Sequence, residues 1–271
     1  MAVRAFEGKD HAAAYRQYRV TPQELISKIM SSVDKRATKR YNLAVDVGCG
    51  SGQGTKLLAP YFTEVVGTDV SQAQLDMAST NSKPPNVSYR QCPAEELPFA
   101  SGEVDLVASM TAAHWFDRPR FLLEADRILR PGGCLALLSY TLDMELEYGD
   151  VSKALTDICN EFYGALLPFR DPYLGSCSRK IYAGMFESIP YPDKEWTDLL
   201  QVKRTLPLNG YIGMVETFSS FQKMKRADPD GAERLSHDFL NKLMSTMKTS
   251  SPDTDVTMVV NYYYFVAFKP S

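Results

Sequence analysis

Between residues 43 and 140 the chain alternates short apolar runs with longer amphipathic ones. The runs at 43–47, 64–68, 87–91, 104–109 and 134–140 are brief and apolar, as expected of strands buried in a sheet. Between them Leu57, Leu58 and Ala59, then Leu75, Met77 and Ala78, then residues 121–129 predict helices. Strands separated by helices of about ten residues predict βαβ units and a doubly wound, mostly parallel α/β sheet. Arg130-Pro131-Gly132-Gly133 fits a basic helix end followed by a break and a new strand. Upstream, Thr21-Pro22 opens a run in which Leu25, Ile26, Ile29, Met30 and Val33 recur at helical spacing, predicting a helix against the sheet.

After Tyr140 the alternation stops. Residues 143–190 hold a helix-like stretch through Leu155, Ile158, Phe162 and Leu166, then a mixed loop with Pro168, Pro172 and Gly175. A strand is expected over 196–206, amphipathic helices over 211–224 and 232–247, and a closing strand over 256–268. In that last run Tyr262, Tyr263, Tyr264 and Phe265 would pack alternately on the two faces of the sheet. The expected organisation is an N-terminal flap and helix at 1–40, a sheet core at 41–142, a helical cap insertion at 143–193, and C-terminal strands with inserted helices at 194–271. Insertions placed this way form lids over the carboxyl edge of a sheet.

Composition narrows the function classes. Hydrophobic content of 44% and a net charge of -3 describe an ordinary globular chain with no basic excess for nucleic acid. Lys35-Arg36 with Lys39-Arg40 reads as a solvated helix end. The first twenty residues are polar where a signal peptide is apolar, and no run approaches the roughly 20 apolar residues of a membrane helix. Cys49, Cys92, Cys134, Cys159 and Cys177 lack the paired spacing of a zinc site, so no metal is expected. The expectation is a reduced, cytoplasmic protein with no membrane or nucleic-acid partner; its oligomeric state is not legible.

The chemistry concentrates in Val45-Asp46-Val47-Gly48-Cys49-Gly50-Ser51-Gly52 and in Asp69, at the end of the next apolar run. A strand turning through glycines into a helix brings backbone N–H groups close to whatever lies above it. An acid one β-α unit later can accept hydrogen bonds from two ribose hydroxyls. The spacing G-x-G-x-G departs from the dinucleotide fingerprint, and a carboxylate at Asp46 suits a ligand ammonium better than a pyrophosphate.

These residues resemble the class I S-adenosylmethionine-dependent methyltransferases. The likeness is carried in order by D-V-G-C-G-S-G, V-G-T-D-V-S, C-P-A-E-E-L-P-F with D-L-V-A-S, and R-P-G-G, across roughly residues 40–140. It implies a seven-stranded Rossmann-like sheet that uses S-adenosyl-L-methionine and releases S-adenosyl-L-homocysteine. Asp46, Gly48, Gly50 and Gly52 would hold the methionine part, Asp69 the ribose and Val70 the adenine face, with Ala94 and Glu95 at the adenine edge.

Thr111-Ala112-Ala113-His114-Trp115-Phe116, with F-E-G-K and Y-R-Q-Y-R near the N-terminus, is similar to the trans-aconitate methyltransferase-like branch, which methylates small carboxylic acids. Juvenile hormone acid methyltransferases resemble it at His114-Trp115; Val20 departs from the branch, which carries a proline there. The resemblance implies a small carboxylic acid as methyl acceptor and a methyl ester as product. A carboxylate is already ionised at pH 7 and needs alignment and dryness rather than a base. His114 would orient it and Trp115 would shape a dry pocket; for an amine or hydroxyl acceptor His114 would instead remove a proton. Arg19 and Arg179 are candidate anchors for the carboxylate, with Tyr15, Tyr18 and Tyr173 as neutral donors. Methylation of a nitrogen, hydroxyl or protein side chain, and a silent cofactor-binding protein, stay open as alternatives.

Overall fold

A computed structural model describes residues 21–36, 41–80, 82–142, 144–172 and 178–271. The apolar runs of the first half become five parallel strands: β1 (Tyr41–Val47), β2 (Phe62–Asp69), β3 (Val87–Gln91), β4 (Val104–Met110) and β5 (Leu129–Tyr140). They are hydrogen-bonded in the order β3-β2-β1-β4-β5. The chain therefore builds outward from β1 in one direction and returns to build in the other. Such a reversal opens a crevice at the carboxyl ends of the two central strands, here β1 and β4.

The second half closes the sheet. β8 (Asp255–Phe268) lies antiparallel to β5, and β7 (Asp193–Pro207) runs antiparallel along its other side. A short β6 (Glu145–Glu147) pairs with Thr257, Met258 and Val259 of β8. Since β7 occupies the far side of β8 throughout, β6 prolongs the line of β5. Among the described residues eight strand segments thus fill seven positions. The Rossmann-like α/β fold stands, and the expected count of seven describes positions rather than segments.

Nine α-helices surround the sheet among the described residues: α1 (Gln23–Asp34), α2 (Gln53–Leu58), α3 (Gln72–Thr80), α4 (Arg118–Ile128), α5 (Ser152–Ala165), α6 (Ser178–Ser188), α7 (Leu208–Glu216), α8 (Ser219–Ala227) and α9 (Pro229–Met247). On one face Leu25, Ile26 and Ile29 of α1 join a core with Ala44, Leu106 and Val260. On the other, Phe121 of α4 and Tyr182 of α6 cover Val45, Val107 and Leu135. Along β8, Tyr262 and Tyr264 enter the first core and Tyr263 and Phe265 the second, the alternation a strand imposes.

The helical cluster beside the sheet draws on both late segments. Phe162 of α5 stacks on Phe239 of α9 with centroids 4.2 Å apart, and on Phe221 of α8 at 6.1 Å. Helix α6, within 143–193, instead covers the sheet. The single helix expected over 211–224 is two. Thr217 turns its hydroxyl back to the Met214 carbonyl (2.6 Å), and Phe218 adopts extended angles of -62° and 138°, which no α-helix continues. Burial of the Phe218 ring holds that break in place.

Candidate active site

β1 ends at Val47, and Gly48, Gly50 and Gly52 follow with φ of 72°, 53° and 75°. These left-handed conformations suit glycine alone without strain. The N–H groups of Gly48 and Cys49 both donate to the Thr68 carbonyl of β2, at 2.7 and 2.9 Å. Asp69 closes β2 and locks the turn from below. Its Oδ2 accepts the Gly50 N–H at 2.9 Å and its Oδ1 the Ser71 N–H at 2.8 Å. An ionised carboxylate accepts about four hydrogen bonds, so each oxygen retains room for another donor. Burial pushes the Asp69 carboxyl upward, opposed by these N–H groups.

Asp46 is 1% exposed at the end of β1. Thr55 donates to its Oδ2 at 2.6 Å, while the buried Oδ1 has no hydrogen-bond partner among the described residues. Burial, with a smaller push from Asp69, raises the Asp46 carboxyl to about 7. A buried acceptor left without a donor is the arrangement a cationic ligand group would complete.

Above these groups lies a cleft of about 390 Å³. On one side it is walled by Asp46, the glycine turn, Asp69, Val70, Ala94 and Glu95. Glu95 is tied by accepting the Asp117 N–H at 2.8 Å. The other side is walled by His114, Trp115, Ser139, Tyr140 and Tyr262, roofed by Asn160, Tyr163 and Arg170 from the helical cluster, and flanked by Phe218, Ser219 and Ser220 at the start of α8. The structure therefore gathers Asp46, Gly48, Gly50, Asp69, Val70, Ala94, Glu95, His114 and Trp115 into one cleft, while Gly52 stands behind the turn and does not line it.

His114 and Trp115 sit on a single turn of 3-10 helix, Ala113–Trp115. Thr111 before it has a φ of 61°, a strained conformation for a β-branched residue, held by its N–H donating to Leu138 at 2.8 Å. The strain swings the chain out of β4 and across the cleft. His114 Nδ1 lies 3.3 Å from the Tyr182 hydroxyl, whose burial keeps it a protonated phenol.

Arg179 is elsewhere. It is ion-paired with Asp198 and lies over the Trp196 ring at 5.7 Å, and it does not line the cleft. The bulge in β7 between Thr197 and Leu200 places Asp198 for that pairing. Arg19, Tyr15, Tyr18 and Tyr173 lie outside the described residues. Arg170, Asn160 and Tyr163 were not anticipated; Arg170 lies inside the mixed Pro-containing stretch, which has no periodicity to place it. Tyr140 carried a weak signal as the last residue of β5, since a carboxyl-edge crevice draws on strand ends; Tyr262, midway along the antiparallel β8, carried none. Among the described residues no group of three His, Cys, Asp or Glu side chains could hold a metal ion, and no helix is long and apolar enough to cross a membrane.

A switch-point crevice with an orphaned acid, a glycine turn and a second acid on the neighbouring strand is a nucleoside site in a Rossmann-like fold. Residues 45–137 match the methyltransferase domain family, and the protein is an S-adenosylmethionine-dependent methyltransferase. S-adenosylmethionine is its cofactor. A methyltransferase of Dictyostelium discoideum is 28% identical over 256 residues, covering 94% of this chain and 92% of its own length. The trans-aconitate 2-methyltransferase of Deinococcus radiodurans is 41% identical over 100 residues, 36% of this chain and 37% of that enzyme. A solved type II methyltransferase from Anaeromyxobacter dehalogenans shares the fold, with a TM-score of 0.72 at 24% identity over 93% of this chain and 98% of its own.

Proposed function

We propose that this enzyme methylates a carboxylate oxygen of a small acid, giving a methyl ester. The observation that carries the reading is Arg170, the one Arg or Lys among the described residues of a cleft otherwise lined largely by apolar, aromatic and small polar side chains. A guanidinium there would hold a carboxylate against the wall formed by His114 and Trp115. The partial likeness to trans-aconitate 2-methyltransferase supports the same class of acceptor.

When bound, the cofactor would supply an electrophilic methyl group to the carboxylate oxygen. The residues of the chain align, hold and keep dry. Asp46 and the glycine turn would hold the methionine part, with Asp46 Oδ1 accepting from its ammonium. Asp69 would take the ribose hydroxyls, Val70 the adenine face, and Ala94 and Glu95 its edge. His114 would orient the acceptor oxygen. The helical cluster excludes water, which strengthens each of these electrostatic contacts.

Asp46 makes cofactor binding pH-dependent. With its carboxyl near 7 in the free protein, a proton must leave before an ammonium is accepted below that pH. Affinity for S-adenosylhomocysteine, measured by calorimetry, is expected to tighten about tenfold per pH unit up to about pH 7 and then level off. Asp46→Asn should bind weakly with no such slope. The same raised carboxyl has the opposite sign for the free protein, whose stability should fall as pH rises from about 4 through 7.

The acceptor class is tested with methyl-labelled cofactor against small carboxylic acids, amines and phenols. Base-labile label on an acid is the expected result. Arg170→Leu should then raise the KM for that acid by roughly ten- to a hundredfold, the worth of one charged hydrogen bond, with cofactor affinity retained. Label confined to amines or phenols would discard the ester and make His114 the proton acceptor.

A further inference from the structure

A second hollow of about 210 Å³ adjoins the acceptor side of the cleft. Among the described residues its apolar walls are Met144, Val202, Met214, Met258 and Val260, all buried. Pro22 and three charged residues also line it, the exposed Glu24 and Lys203 and the half-buried Arg204. Tyr140 and Tyr262 line both hollows. They are direct partners across β5 and β8, and their rings meet edge to face with centroids 5.6 Å apart. The wall shared by the two hollows thus includes a pair of side chains.

An apolar hollow offers water few partners and costs stability in proportion to its volume; an apolar group that enters it reverses that cost. Three of its walls are methionines, whose unbranched, polarisable side chains adapt to chains of differing shape.

We infer that the methyl acceptor is bipartite, with a polar head in the first hollow beside Arg170 and His114 and an unbranched apolar tail passing Tyr140 and Tyr262 into the second. The inference rests on the first hollow being the acceptor site. It selects medium-chain monocarboxylic acids over short, wholly polar polyacids.

The test is calorimetric binding of butanoate, octanoate and dodecanoate, with the matching alcohols and amines, to protein loaded with S-adenosylhomocysteine. Two methylenes taken into the second hollow are worth roughly tenfold in affinity. Octanoate is therefore expected to bind at least about tenfold more tightly than butanoate. Met258→Trp should abolish that gain by filling the hollow from β8. Met144→Trp should do the same from the β5–β6 connection, and S-adenosylhomocysteine affinity reports that each variant is folded. Equal affinity for butanoate and octanoate in the wild type, a gain that survives both variants, or no binding at any length would overturn the inference. The same length dependence among alcohols or amines, with the acids inert, would support the tail site and remove the carboxylate reading.

Discussion

Replacing Asp69 with alanine is expected to weaken S-adenosylhomocysteine binding by about two to four orders of magnitude in calorimetry. The figure follows from two hydrogen bonds to a charged acceptor, each worth about 1.5–3 kcal/mol. The carboxylate has two jobs. It fixes the turn by accepting the N–H groups of Gly50 and Ser71, and in the proposed complex its remaining lone pairs take the ribose hydroxyls. Alanine removes both and leaves two N–H groups without their acceptor. Asparagine restores one oxygen but points an amide donor at the other N–H, so it should rescue little. Unchanged affinity in the alanine variant would move the ribose site away from β2.

Gly48→Ala should strongly disrupt the cofactor turn. A Cβ there would lie 2.5 Å from Ala112 Cβ and 3.0 Å from Phe116 Cζ, on a residue whose φ is 72°. The left-handed conformation costs an alanine about 1–2 kcal/mol, and overpacking adds about 1–3 kcal/mol. Urea unfolding should show a loss of about 2–5 kcal/mol. Relief can come only by moving the segment that carries His114 and Trp115 away from β1. Turnover should therefore fall further than cofactor affinity, and a variant with wild-type stability would contradict the close approach.

What the sequence reveals follows from how locally each feature is determined. β1, β4 and β5 are buried on both faces, so their apolar runs are written out in full. Asp46, the glycines and Asp69 are legible because a sharp turn and a neighbouring acid constrain residue type at fixed spacing. β6 is three residues long, too short for any period, and exists only because β8 extends past β5. The break at Thr217-Phe218 depends on where the Phe218 ring finds its core. Arg170 and Arg179 look equivalent in sequence; one enters the cleft, while the β7 bulge gives the other Asp198 as a partner.

The place of β8 also sets an order of events during synthesis. It is made after β7, yet it lies between β5 and β7 and pairs with both. A nascent chain that has emerged through β7 therefore holds two strands, β5 and β7, with unsatisfied edges and no route to join them. Tyr140 waits for Tyr262 until the intervening helices have been made. Such long-range closure is slow and leaves edges open to wrong partners. The half of the sheet that builds the cofactor turn can form early, whereas the wall shared by Tyr140 and Tyr262 is finished only once β8 has been made. Cofactor binding should accordingly precede acceptor binding as the protein matures, and chaperone dependence should concentrate in the interval between β7 and β8.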